Sequence, residues 1–188
     1  MSPARLLSIA ALLLALAACT RPSGAPASAL PPETMPDQET WGAVLRLSDA
    51  GLLRAVMAAP YMASFDRADS QVVHLSRDPE GSDTSVVDVT LYDEAGAPRA
   101  RIRARGLRFD QRAGLFTARG GVRVRAPGGR SLAAESVSWS DADGRLRAPG
   151  AFRYASPTES ISGVGLVASG DLSRYSFARA RGTLEVSE

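Results

Sequence analysis

The sequence predicts an all-β fold of short antiparallel strands built on a repeated bent unit, and three observations predict it. First, one pattern occurs three times between Ala100 and Val186. Ile102, Leu107, Phe109, Phe116, Gly120, Val122 and Val124 are matched thirty residues on by Leu132, Val137, Trp139, Leu146, Gly150, Phe152 and Tyr154. A looser copy follows in Ile161, Leu166, Ala168, Tyr175, Gly182, Leu184 and Val186. A fixed period with apolar residues at matching places marks units that bury their faces only by stacking on neighbours. Second, apolar residues inside each unit recur at a spacing of two, the periodicity of a pleated strand with one face turned inward. Third, turn signals rich in Asp and Gly separate the strands, as in Asp110-Gln111-Arg112-Ala113-Gly114.

The step of five from Ile102 to Leu107 breaks strand parity, and the other copies break it at the same place. One extra residue restores the inward face while bending the strand, so a bulge or corner is expected there. Each unit then reads as a bent strand, a turn, and a returning strand entered through glycine.

From the beginning of the chain, Met1–Arg5 is a short basic leader and Leu6–Ala18 an apolar run. The run is too short for a membrane-spanning helix, which needs about 20 residues, but suits a secretory signal. It ends in Leu16-Ala17-Ala18-Cys19, the form of a bacterial lipobox, so residues 1–18 are expected to be removed and Cys19 to carry the lipid. Cys19 is the only cysteine, which leaves no disulfide framework and no thiolate metal site. Residues 19–40, rich in Pro, Ala and Ser, cannot bury enough apolar surface to fold and read as a flexible tether. Residues 41–188 read as a single β-domain.

Within that domain, Val44–Leu47 and Leu52–Met57 flank the turn signal Ser48-Asp49-Ala50-Gly51 and are expected to form a hairpin. The stretch from Ala58 to Asp83 is less regular, apart from a strand around Val72-Val73-His74-Leu75. Val87, Val89 and Leu91 mark one face of a strand that turns at Asp93-Glu94-Ala95-Gly96 into the first copy.

Every basic residue is Arg, and ten of them lie between Arg99 and Arg130 against one acid, Asp110. They alternate with the apolar positions and so are expected on a solvated outer strand face. Contact with anionic headgroups or an acidic partner is the other reading. Nucleic acid is excluded as a partner by the export signal and by the scarcity of aromatic residues among the arginines.

No catalytic apparatus is legible, and no cofactor is expected. His74 is the only histidine and lies in an apolar stretch, where a structural role is expected; no Ser/Cys triad or His-rich metal site can be assembled. Asp110, Asp141, Asp143 and Asp171 sit where Asp serves as a turn residue, and the Asp141/Asp143 pair has no motif for acid–base or Ca²⁺ work. The reading is of a protein that is not an enzyme.

A lipobox, a short tether, then Val87-x-Val89-x-Leu91-Tyr92-Asp93-x-x-Gly96 open a wider pattern. Gly121-Val122-x-Val124, Gly129-x-x-Leu132, Val137-x-Trp139-x-x-x-x-Gly144 and Gly163-x-Gly165-Leu166 continue it. In order and spacing this set, covering Leu45 to Val186, resembles the LptC family of the lipopolysaccharide export system, in a lipoprotein variant. The resemblance implies a twisted, jellyroll-like β-groove of the OstA/LptA-like kind. It implies a protein that takes lipopolysaccharide from the inner-membrane Lpt ABC transporter subunits and passes it to an LptA-like periplasmic bridge protein. Many family members keep a transmembrane helix where this chain has Cys19. The expected location is therefore the periplasm, lipid-anchored, with the inner membrane favoured and the outer membrane as alternative.

A sheet folded face to face from such strands would enclose an apolar channel. Its expected lipid-contacting lumen is Val87, Val89, Leu91, Ile102, Leu107, Phe109, Phe116, Val122, Val124, Leu132, Val137, Trp139, Phe152, Tyr154, Ile161 and Leu166. The terminal strand, with Leu184 and Val186, is expected to present a free edge to a partner. The competing reading is a structural β-module that joins partners edge to edge around an ordinary core.

Overall fold

A computed structural model of the chain describes residues 35–79, 86–140 and 142–184. The expected signal sequence, Cys19, most of the expected tether, Asp141 and Val186 lie outside the described residues.

Eleven strands join in one antiparallel sheet: β1 (Gln38–Asp49), β2 (Leu52–Asp66), β3 (Gln71–Ser76), β4 (Val87–Tyr92), β5 (Pro98–Ala104), β6 (Gly106–Asp110), β7 (Leu115–Ala126), β8 (Arg130–Ser140), β9 (Arg145–Ala155), β10 (Glu159–Ser169) and β11 (Tyr175–Leu184). The expected hairpin is β1–β2, longer at both ends than its apolar centre suggested. Its turn places Ala50 and Gly51 both at positive φ, matching the right-handed twist of the flanking strands. Gln38–Thr40, read as the end of the tether, pair with Ser64–Met62 and belong to β1. The Asp37 carboxylate pins this entry by accepting the Asp66 N–H at 2.7 Å and an Arg67 guanidinium N–H at 2.7 Å.

The stretch after Ala58, expected to be irregular, is strand as far as Asp66. Pro60 lies within it, although proline has no ladder donor and breaks most central strands. Here β2 pairs with β4 through Ala55–Ala58 and with β3 through Tyr61–Asp66. Pro60 sits at the changeover, where neither neighbour needs its N–H.

That changeover divides the sheet into two layers. The first holds β4 and β5, and the second holds β3 and β6. Strand β7 spans both, pairing with β5 through Arg123–Arg125 and with β6 through Leu115–Arg119. The predicted corner is present in every copy. In the first it is a full break at Arg105, so the bent strand is two strands with different neighbours. In the second and third it is a register shift, between Ala134 and Ser138 in β8 and between Val164 and Leu166 in β10.

The returning strands β7 and β9 follow Gly114 and Gly144 directly, while Gly120 and Gly150 lie inside them at the bend. At Gly120 only glycine fits. Its φ is +84°, and a Cβ there would meet Arg105 Nε at 2.8 Å and Arg105 Cβ at 2.9 Å. Between the layers the inward residues form one continuous apolar core.

Candidate functional site

The candidate site is the interior between the layers. Alternation along each strand decides which side chains enter it: β4 buries Val87, Val89 and Leu91, and β5 buries Ala100, Ile102 and Ala104. Of the sixteen predicted lumen residues, Val87, Val89, Leu91, Ile102, Leu107, Phe109, Phe116, Val122, Val124, Leu132, Val137, Phe152, Tyr154 and Leu166 are buried in the core cluster. Trp139 and Ile161 are half-buried and pack against it. Met57, Leu75, Leu146 and Leu172 are also fully buried but were not among the expected lumen residues. The first three stood at alternating apolar positions in the sequence. Leu172 carried no such signal, because it lies in the β10–β11 turn.

One end of the interior is aromatic. Phe109 and Phe116 face each other across β6–β7 and stack at 4.1 Å between ring centroids, and Phe116 lies 5.2 Å from Trp139. Beside them opens a pocket of 250 Å³, lined by Leu47, Ala55, Phe109, Phe116 and Trp139 and rimmed by Ser48, Asp49, Arg54 and Gln111. The Trp139 indole N–H is buried and has no acceptor. This volume lies below the ~300 Å³ at which drug-sized sites begin, so it accommodates one short apolar group rather than several acyl chains.

The β10–β11 turn lies nearby: Arg54, on the rim of this pocket, also lines a depression with Asp171, Ser173 and Arg174. Leu172, at a φ of 58°, is fully buried, and its carbonyl accepts the Tyr154 hydroxyl at 3.4 Å. A non-glycine residue in this left-handed region carries strain that its surroundings must offset. Tyr175 packs 4.6 Å from Tyr154 and donates its hydroxyl to the Glu159 carboxylate. Burial, and then the Glu159 charge and hydrogen bond, push the Tyr175 hydroxyl up to about 12. Burial likewise raises Tyr154. Both phenols therefore stay neutral, and they can donate hydrogen bonds but supply no charge.

The turn aspartates act as turn residues: Asp110, Asp143 and Asp171 accept the N–H groups of Ala113, Arg145 and Ser173. Asp141, likewise expected to be a turn residue, lies outside the described residues. His74, for which a structural role was expected, lies in β3. It alternates out of β3 onto the exposed face, 5.2 Å from the Phe65 ring and opposite Arg108. Partial burial and then the Arg108 charge lower its pKa.

The predicted partner edge is the terminal strand β11, which pairs with β10 through Glu159–Leu184; among the described residues no strand lies on its other side. Leu184 is the last described residue. Off the main path of the sheet, β1 pairs, among the described residues, only with β2. No protein-family model matches the chain, and no curated protein aligns significantly with it.

Proposed function

We propose that this chain is a non-enzymatic lipid carrier of the cell envelope, tethered through Cys19 and projecting its β-domain into the periplasm. Its cargo is lipopolysaccharide, received from an inner-membrane ABC transporter and passed to a bridge β-protein. One observation carries the reading: a single apolar core runs between two layers of a sheet whose strands β1 and β11 each have, among the described residues, an unpaired outer edge. An acyl chain gains about 0.8 kcal/mol per buried CH₂, so an interior of this composition can retain a lipid without covalent chemistry. Free strand edges are templates on which partners can extend the sheet.

The interior is packed apart from the aromatic pocket, so cargo enters by separating the layers and replacing contacts between side chains. The scaffold reading differs at this point, because it needs the edges and leaves the core shut. A photo-crosslinking residue at Ile161 distinguishes them. Ile161 is half-buried at the rim of the core, so the substitution leaves the packing intact, whereas Val137 is fully buried. Crosslinks to lipopolysaccharide in living cells are expected. Crosslinks to protein alone, with the domain folded, would favour the scaffold.

A further inference from the structure

The outer faces of the two layers differ in charge. On the first layer, a straight row of directly opposed residues runs across seven strands: Asp88, Arg103, Arg123, Ala133, Arg153, Ser162 and Arg181. The adjacent row places Arg101 directly opposite Arg125, with Ser131 beyond. All six arginines are exposed. At about 4.8 Å per strand the row from Arg103 to Arg181 is about 24 Å long.

Like charges directly opposite in a sheet repel, and this face contains two such pairs, Arg103/Arg123 and Arg101/Arg125. A single carboxylate answers them: Asp88 takes two guanidinium N–H groups of Arg101 and reaches Arg103 at 3.4 Å. Among the described residues Arg123, Arg125, Arg153 and Arg181 have no carboxylate partner. The second layer's outer row is built differently. Its two arginines, Arg108 and Arg147, are each paired, with Asp110 and Asp143. Arg119 and Arg145 flank that row without a carboxylate partner among the described residues, but each stands opposite Gly or Ser, so only the first layer's face sets arginine directly against arginine.

We infer that the outer face of the first layer is a docking surface for an anionic phospholipid bilayer. Guanidinium groups match phosphate oxygens with two parallel hydrogen bonds. A depression of 520 Å³ lies between Arg123 and Arg153, floored by Ala133 and Gly163, with Glu135 on its rim holding the Gly121 N–H at 3.2 Å. It is wide and shallow enough to seat a headgroup. Between the arginines stand Ala and Ser, and neither row carries an aromatic side chain. A protein partner would need buried anchors on this face, whereas a fluid phosphate surface needs only charge. The choice of a bilayer rests on the membrane-anchored reading of Cys19.

The test uses the full chain with vesicles of phosphatidylcholine alone or of phosphatidylcholine with phosphatidylglycerol. Flotation with the neutral vesicles reports the anchor by itself. Phenylglyoxal modification, mapped by mass spectrometry, reports the face. On anionic vesicles Arg123, Arg125, Arg153 and Arg181 should be modified several-fold more slowly than on neutral ones, and high salt should abolish the difference. Arg108 and Arg147 should be unchanged.

Each arginine at an anionic surface multiplies partitioning about fivefold, so the triple variant Arg103→Ser, Arg123→Ser, Arg153→Ser should lose about a hundredfold and with it the protection of Arg181. Circular dichroism confirms that the variant is folded. Equal modification on the two vesicle types would overturn the inference, as would equal protection of Arg108 and Arg147. Protection by polyglutamate but not by anionic vesicles would assign the face to an acidic protein and overturn it too.

Discussion

Gly163→Ala tests the architecture at the joint between the last two strands. Gly163 lies in β10 directly opposite Ala180, and a Cβ built on it falls 2.1 Å from the Arg179 carbonyl oxygen and 2.9 Å from Ala180 Cα. Both obstacles are backbone, so no side chain can swing aside. Relief to an ordinary contact requires β11 to retreat by more than an ångström, which strains or breaks the ladder around Ser162–Val164. Two lost hydrogen bonds at about 1 kcal/mol each, with an overpacking cost of about 1–3 kcal/mol, predict a destabilisation of about 3–5 kcal/mol.

Gly150 is the control. It too lies in a bent strand at a corner and, like Gly163, has no positive φ, but a Cβ there meets nothing within 4 Å. Gly150→Ala should be neutral or stabilise by about 0.4–1 kcal/mol through the unfolded chain. Urea unfolding gives the energies, and hydrogen exchange should show Tyr175–Leu184 losing protection while β4 and β5 keep theirs. Gly163→Ala with the stability and β11 protection of wild type would refute the pairing of β10 with β11 in this register.

Three further substitutions probe the interior. Leu172→Ala removes a fully buried side chain and should cost about 2–5 kcal/mol in urea unfolding, although the residue lies in a turn. Trp139→Phe deletes a buried N–H that has no acceptor, so its thermal midpoint should fall less than that of Phe116→Ala. For Asp171, burial works to raise the pKa, but hydrogen bonds from Ser169 and Ser173 outweigh it and bring the carboxyl from 3.8 down to about 2. A folded-state pKa below the unfolded one stabilises above pH ~4, and that stability is lost as pH falls through about 2. Asp171→Asn should therefore unfold at lower temperature than wild type at pH 7, and the gap should close near pH 2.

Much of this fold was legible because alternation and parity are local properties of the chain. Val87, Val89 and Leu91 announce their strand by spacing alone, and the repeated five-residue step announces the corners. What stayed hidden depends on partners distant in sequence. Nothing near Pro60 shows that β2 changes neighbours there, and nothing near Arg105 shows that this corner, unlike the others, breaks the strand. Leu172 was missed for a related reason: a lone leucine in a Gly-Asp-Leu-Ser turn is buried only because Tyr154 and the closing layers surround it. His74 faces outward because it holds the alternate position between the buried Val73 and Leu75. The arginine face was half legible. Its outward orientation followed from alternation, but the direct opposition of Arg103 with Arg123 depends on cross-strand register, which no local pattern fixes.

A packed interior and the proposed carrier role make opposite demands, and the placement of the bends offers a way for one chain to meet both. The strands that cross between layers bend where the ladder is already irregular: at Gly120–Gly121 in β7, between Ala134 and Ser138 in β8, and at Gly165 in β10. Opening the layers about this line spares most of the hydrogen bonds on either side and costs mainly the contacts across the core. Those contacts are apolar, so an entering acyl chain can replace them in kind, at about 0.8 kcal/mol for each CH₂ it buries. The exchange is favourable only if the lipid fills the space that opening creates, because apolar surface left exposed is lost stabilisation. An empty groove should therefore close on its own side chains, which is the packed state observed, with the 250 Å³ pocket beside Trp139 as the place where separation needs the fewest contacts broken.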